Sequence, residues 1–172
     1  QKQNHLAPPA YALQEIIASR CNLNALVSDI AAEKIWKGHN LTQHYQQVLQ
    51  QFQLLKQEAY FLLEQSVEHT SLAGFSVAVA YSNPLLYMKL APQRLKERLS
   101  DDCIFVLYEG KSNVFVQASP KIGKRILDFV TSNGGGGRGH GGGFMLDHSV
   151  APETYPQDKE DVLRRFAAYF SK

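Results

Sequence analysis

Cysteine is nearly absent from this 172-residue chain, and the two present, Cys21 and Cys103, make neither a disulfide framework nor a zinc site by themselves. A bias toward one sign of charge is missing too. Eighteen basic against sixteen acidic side chains leave a net charge of +2, which excludes an acidic solvating tail and a polybasic coat for nucleic acid. No apolar run approaches the roughly 20 residues that span a bilayer, and no charged start with an apolar core marks a secretory signal, so a cytoplasmic protein without a membrane partner is expected. Glycine is scarce everywhere but in one place: eight of the 12 glycines fall in the ten positions from Gly134 to Gly143. The chain begins at Gln1, which reads as a piece of a longer translation product.

What is present divides into two textures. Residues 1–70 hold a single glycine, Gly38, and are rich in Gln, Leu and Ala, which favours helix. Three helices are expected there: one after Pro8 and Pro9 with Tyr11, Leu13, Ile16 and Ile17 on its apolar face, one over Leu23–Trp36, and a long amphipathic one over 41–63. From Gly74 onward, β-branched and aromatic runs alternate with turn residues. They predict a strand over Gly74–Tyr81, a helix to Leu99 interrupted or restarted at Pro92, and a hairpin of Cys103–Tyr108 and Asn113–Ala118. Ser119-Pro120 reads as the cap and first position of a helix with Ile122, Ile126, Phe129 and Val130 buried. Beyond the glycines come a short strand at Phe144–Leu146 and a final helix with Val162, Leu163, Phe166, Ala167 and Phe170 on one face. The expected fold class is α/β: a small mixed sheet with packed helices over residues 74–172, preceded by a helical connector, with domains at 1–70 and 71–172.

The glycine tract carries the chemistry. A P-loop is excluded because no Gly-Lys-Ser/Thr follows, and a dinucleotide fingerprint is excluded because it needs a strand before and a helix after, the reverse of the order here. A flexible linker is the plain alternative. Against it, the tract lies between an amphipathic helix and an apolar segment, and it contains Arg138 and His140. Glycines that alternate the sign of φ converge their N–H groups into a nest for an anion. Arg138 would add a bidentate fork to phosphate oxygens, and His140 a further donor. The candidate phosphate-binding residues are therefore Gly135, Gly136, Gly137, Arg138, Gly139, His140, Gly142 and Gly143, with Ser119, Lys121 and Lys124 as secondary candidates. No catalytic or metal-ligating residue is assigned. Asp147 and His148 match no metal spacing, His44 reads as a solvated or half-buried side chain, and Tyr81, Tyr87, Phe115 and Phe144 read as core, one of which could stack on a base.

Gly135-Gly136-Gly137-Arg138-Gly139-His140-Gly141-Gly142-Gly143-Phe144, with the elements before it, resembles the DHH-associated domain, the substrate-binding domain of the DHH phosphoesterase family. That family carries G-G-G-H-x-x-A-A-G and an apolar residue after a helix. Here Arg138 stands at the family's histidine, Gly141 and Gly142 at its alanines, and Ser119 where many members place an arginine. The resemblance implies a module that recognises a nucleotide or short single-stranded nucleic acid. It further implies a manganese-dependent phosphoesterase whose catalytic DHH domain, the chain's own N-terminal partner, is absent from this sequence, so that the chain alone is not catalytic. No cofactor is assigned to the chain itself, and a homodimer is compatible with the reading. A stand-alone RNA- or tRNA-binding module, like the glycine-rich domain of alanyl-tRNA synthetases, is the alternative, and a helical interaction protein with a glycine hinge is a third.

Overall fold

A computed structural model describes residues 40–171, together with residues 12, 15–17, 25, 26, 28, 29, 36 and 37. The chain forms two compact units, Gln1–Gln57 and Glu58–Lys172. In the first, residues 12, 15–17, 25, 26, 28 and 29 are helical, and the rest of the first two expected helices lies outside the described residues. Trp36 corrects the second expectation, because Trp36–Lys37 (β1) pairs antiparallel with Asn40–Leu41 (β2) instead of ending a helix. Ile16, Leu26 and Tyr45 form a small core, and the Tyr45 hydroxyl donates to Asp29 at 2.8 Å. The long helix α1 runs over Gln43–Gln65. Among the described residues, no helix is long and apolar enough to cross a membrane.

The second unit is built on one mixed sheet, so the α/β class expected from the sequence holds. Its strands are β3 (Glu68–Leu72), β4 (Phe75–Ser82), β5 (Cys103–Tyr108), β6 (Asn113–Ala118), β7 (Gly136–Arg138) and β8 (Gly141–Met145), in the order β3-β4-β5-β6-β8-β7. Only β4 and β5 are parallel. The connection between them carries a short 3-10 turn, Pro84–Leu86, and helix α2, Leu90–Lys96, as a parallel pair requires. Pro92 lies in the first turn of α2, where its missing N–H removes no helical bond, so the expected interruption is a late start.

Alternation along the strands sorts the core onto two faces. Val77 and Val79 of β4, Phe105 and Leu107 of β5, and Val114 and Val116 of β6 face helix α3 (Gly123–Ser132) and helix α4 (Tyr155–Phe170). The rings of Phe105, Phe129, Phe144 and Phe166 meet there edge to face. The opposite residues, Ala78, Ala80, Ile104, Val106 and Tyr108, pack with Leu86, Ala91 and Leu95 and with Ala59 and Leu63 of α1. All six residues of β5 are buried, which marks it as the central strand, and burial pushes the Cys103 thiol up.

The Ser119 cap does not form. Ser119 O accepts from Ile122 N at 3.2 Å in a turn, the helix starts at Gly123, and the Ser119 hydroxyl is buried with no partner among the described residues. Strand β3, whose first three residues lie in the region read from the sequence as helical, hairpins onto β4 through Ala73 and Gly74, both at positive φ.

Helix α4 is tied to the loop after β8 by His148. Its Nδ1 meets Asp147 and its Nε2 meets the buried Asp158, both at 2.7 Å, while Thr154 Oγ1 donates to the other Asp158 oxygen at 2.7 Å. Two carboxylates on two ring nitrogens favour imidazolium. The hydrogen bond to Asp147 leads in raising His148 above its ordinary 6.5, followed by that to Asp158, and the same pair lowers Asp147 below 3.8. A raised imidazolium contributes stability that is complete below about pH 6.5 and is lost as pH climbs through the folded value. The Asp147 contribution is present above its ordinary value and is lost in acid. Urea midpoints measured from pH 6 to 9 should therefore fall for the native chain, and the fall should be smaller for His148→Gln.

Candidate anion-binding cleft

The glycine tract is neither a linker nor a nest of alternating φ. It folds as the β7–β8 hairpin, and within 134–143 only Gly134 and Gly139 have positive φ. The reason is the free edge of β6, whose backbone groups pair with β8 from Asn113↔Met145 to Gln117↔Gly141. The turn has two residues, Gly139 and His140, and Gly139 at φ +65° supplies the left-handed conformation that such a turn requires. It is anchored behind: His140 O accepts from Ala118 N at 2.7 Å and from Gln117 Nε2 at 3.1 Å. The His140 ring lies against Gly123 at the start of α3, where a side chain on Gly123 would collide with it.

Register explains the cleft. On the α2 side of the sheet, one cross-strand row reads Gln117, Gly141, Arg138 and the next Phe115, Gly143, Gly136. Three of these six positions have no side chain, so the layer that covers β4 and β5 gives way to open space over β8 and β7. The result is a cleft of about 540 Å³, walled on one side by Met88, Lys89, Pro92, Gln93 and Lys96 and on the other by the hairpin, with Phe115 and Gln117 on its floor.

Its α2 wall is held firmly. Tyr108 Oη donates to Met88 O at 2.9 Å, and Tyr87 Oη to Asn113 Oδ1 at 2.8 Å. Burial keeps the Tyr108 phenol protonated by pushing its titration far up. Met88 has φ +63°, a left-handed backbone that a side chain seldom adopts, and it lies at the rim of the cleft.

The charge of the lining is one-sided. Lys89, Lys96 and Arg138 contribute three cations, and no Asp or Glu lines the cleft. None of the three cations has an ion-pair partner among the described residues. Elsewhere several cations are matched, Arg94 and Arg98 with Glu64, Lys159 with Glu68, Arg164 and Arg165 with Asp161, while Lys111, Lys121, Lys124 and Arg125 have no ion-pair partner among the described residues. Such a cleft suits an anion that carries an apolar or aromatic portion.

Of the residues singled out in the sequence, the cleft gathers Gly136, Gly137, Arg138, His140, Gly142 and Gly143, while Gly135 and Gly139 do not line it. Ser119 borders a hollow of about 200 Å³ that shares Lys96 and Gln117 with the cleft. Lys121 and Lys124 are exposed and line neither, and Arg125 lies over the rings of Phe75 and Phe170. Phe144 is fully in the core, Tyr81, Tyr87 and Phe115 are half-buried, and His44 is exposed. Sequence reasoning missed Lys89, Gln93 and Lys96. Their spacing of four and seven residues, which puts them on one helix face, was the available signal.

No known family profile matches the sequence, and no curated protein matches it. Among solved structures, similar chains include an uncharacterized protein from Helicobacter pylori G27 (18% identity, 94% of this chain and 45% of that one, TM-score 0.43). They also include the pGpG-specific phosphodiesterase PggH from Vibrio cholerae (10% identity, 86% and 51%, TM-score 0.46). A third is a member of the S1p family of ribosomal proteins, described by its DHH domain (17% identity, 72% and 32%, TM-score 0.43). The chain spans about half the length of these structures or less.

Two glycines differ in the space around them. A Cβ on Gly142 would meet Gly136 O at 2.8 Å and Val130 Cγ1 at 3.2 Å, whereas one on Gly136 would meet nothing within 4 Å. Gly142→Ala should cost about 1–3 kcal/mol in urea unfolding. Gly136→Ala should stay within about 0.5 kcal/mol of the native chain in the same measurement.

Proposed function

We propose that this chain is the substrate-binding part of a DHH-family phosphoesterase, and that its cleft holds the phosphate of a nucleotide or short single-stranded oligonucleotide. The observation that carries the reading is the cleft's lining: three unpaired cations, no carboxylate, and a hairpin whose missing side chains let a phosphate approach the backbone. Arg138 lies on the cleft face of the edge strand, so its guanidinium supplies the fork to phosphate oxygens in the place of the family's histidine. Phe115, half-buried on the floor, offers an aromatic surface on which a base can rest.

Hydrolysis belongs, in this reading, to a catalytic DHH domain outside the chain. Manganese, implied for that domain, does not fit the residues here. Among the described residues, no group of three or more His, Cys, Asp or Glu side chains could hold a metal ion. The chain's own work is to bind and orient the substrate, which raises the effective concentration of the scissile bond at a partner site.

Arg138→Ala should weaken the binding of a short 5′-phosphorylated oligonucleotide by about 1–3 kcal/mol, measured by calorimetric titration. Unchanged affinity would exclude the phosphate reading. Tight binding of folded tRNA with no response to the 5′-phosphate would favour the stand-alone RNA-binding module instead.

A further inference from the structure

We infer that a second copy of this chain pairs with β3, so that two sheets join edge to edge about a two-fold axis. The inference is independent of what the cleft binds, because β3 and the β7 wall of the cleft lie at opposite edges of the sheet.

The outer side of β3 is open to pairing. Its turn to β4 has two residues, Ala73 and Gly74, so Leu72 and Phe75 close the hairpin, and the backbone groups of Leu72, Thr70 and Glu68 point toward β4. Those of His69 and Ser71 point outward, and among the described residues no strand or loop takes them up. The side chains from Glu68 to Ser71 are exposed as well. An uncovered edge with free N–H and C=O groups is a template for another strand.

The sequence of β3 suits β3 itself as that strand. Antiparallel self-pairing centred on Thr70 sets His69 opposite the partner's Ser71 and Ser71 opposite the partner's His69, which satisfies the outward N–H and C=O of both residues in both copies. Thr70 then meets the partner's Thr70, a favourable cross-strand pair, and Glu68 meets the partner's Leu72. No like charges are opposed, and the two ionisable side chains of the strand keep their own partners, Glu68 with Lys159 and His69 with Asp101. Moving the centre to His69 or Ser71 shortens the ladder, and at His69 it sets imidazole against imidazole.

The same axis gathers apolar surface on the α1 side of the sheet. Tyr60 and Glu64, one turn apart, face α2, where Arg94 lies over the Tyr60 ring and pairs with Glu64. Leu62, two residues from each and about 200° round the helix, projects from the opposite flank. Because α2 packs over β5, that flank overhangs β3, on the other side of β4. Leu62 is 53% exposed and Phe61 beside it 61%. In the dimer the α1 flanks run antiparallel above the β3 pair, and these side chains cover one another. A five-residue strand spans only about 17 Å, so strand pairing alone buries less than the roughly 1,200 Å² of a stable interface. The helix flanks supply the remainder, and the association belongs to the weaker, reversible class. Each cleft stays open at an outer end of the joined sheet.

Sedimentation equilibrium of the full chain should show the mass of one chain rising to that of two with concentration. Thr70→Lys and Thr70→Glu each set like charges across the axis and should raise the dimer dissociation constant about fivefold or more, whereas their equimolar mixture should return to within about twofold of the native chain. Ser71→Pro removes an outward N–H that β4 does not use, so it should keep the native melting curve and lose the dimer. A native chain that stays monomeric at every concentration would overturn the inference. So would a native dimer that both Thr70 variants leave intact, since the contact would then lie elsewhere. Loss in the single variants without recovery in their mixture would overturn the two-fold register. None of these readouts depends on oligonucleotide binding, so failure here leaves the reading of the cleft standing.

Discussion

The pairing of β8 with the open edge of β6 is the constraint on which the rest depends. It converts a run of glycines, entropically costly to order, into two strands whose backbone groups are satisfied by a sheet. It also decides which face of the sheet is filled. Beneath the hairpin, Val130, Phe129 and Phe144 are buried in the core; above it, Gly136, Gly141 and Gly143 contribute no side chain, and the covering layer ends at α2. One register thus produces both a stable edge and an open cleft.

Electrostatics gives the opening its character. Arg94, Arg98, Lys159, Arg164 and Arg165 all lie beside carboxylates, and such exposed pairs are worth little individually. The cations that face the cleft have no such partner, so a bound anion would meet charge that the protein has not already neutralised. Rigidity of the walls reinforces this. The buried Tyr108 hydroxyl bonded to Met88 and the turn bonded to the end of β6 leave little to reorganise when a ligand arrives.

Much of the fold was legible because it is local. The β5–β6 hairpin is flagged by two apolar runs around Gly110, the long helix by its repeat, and α3 by Ile126, Phe129 and Val130. The fate of the glycine tract was not, because β8 is specified by a partner 24 to 32 residues upstream in its register, and glycine has no propensity that announces a strand. Arg138 and His140 stood out as side chains inside a featureless run. Lys89 and Lys96 did not, since Pro92 divided the segment and hid their common face. Ser119 and Pro120 spelled a helix start that a turn to Ile122 displaced, which shows how weak a cap signal is when a strand end must first change direction.

The most direct measurement is an amide chemical-shift titration of the full chain with a short 5′-phosphorylated oligonucleotide. The account predicts saturable changes at Gly136–Gly143 and at Lys89–Lys96, with residues 147–165 unaffected. Shifts confined to the His148 region, or none at either wall of the cleft, would contradict it.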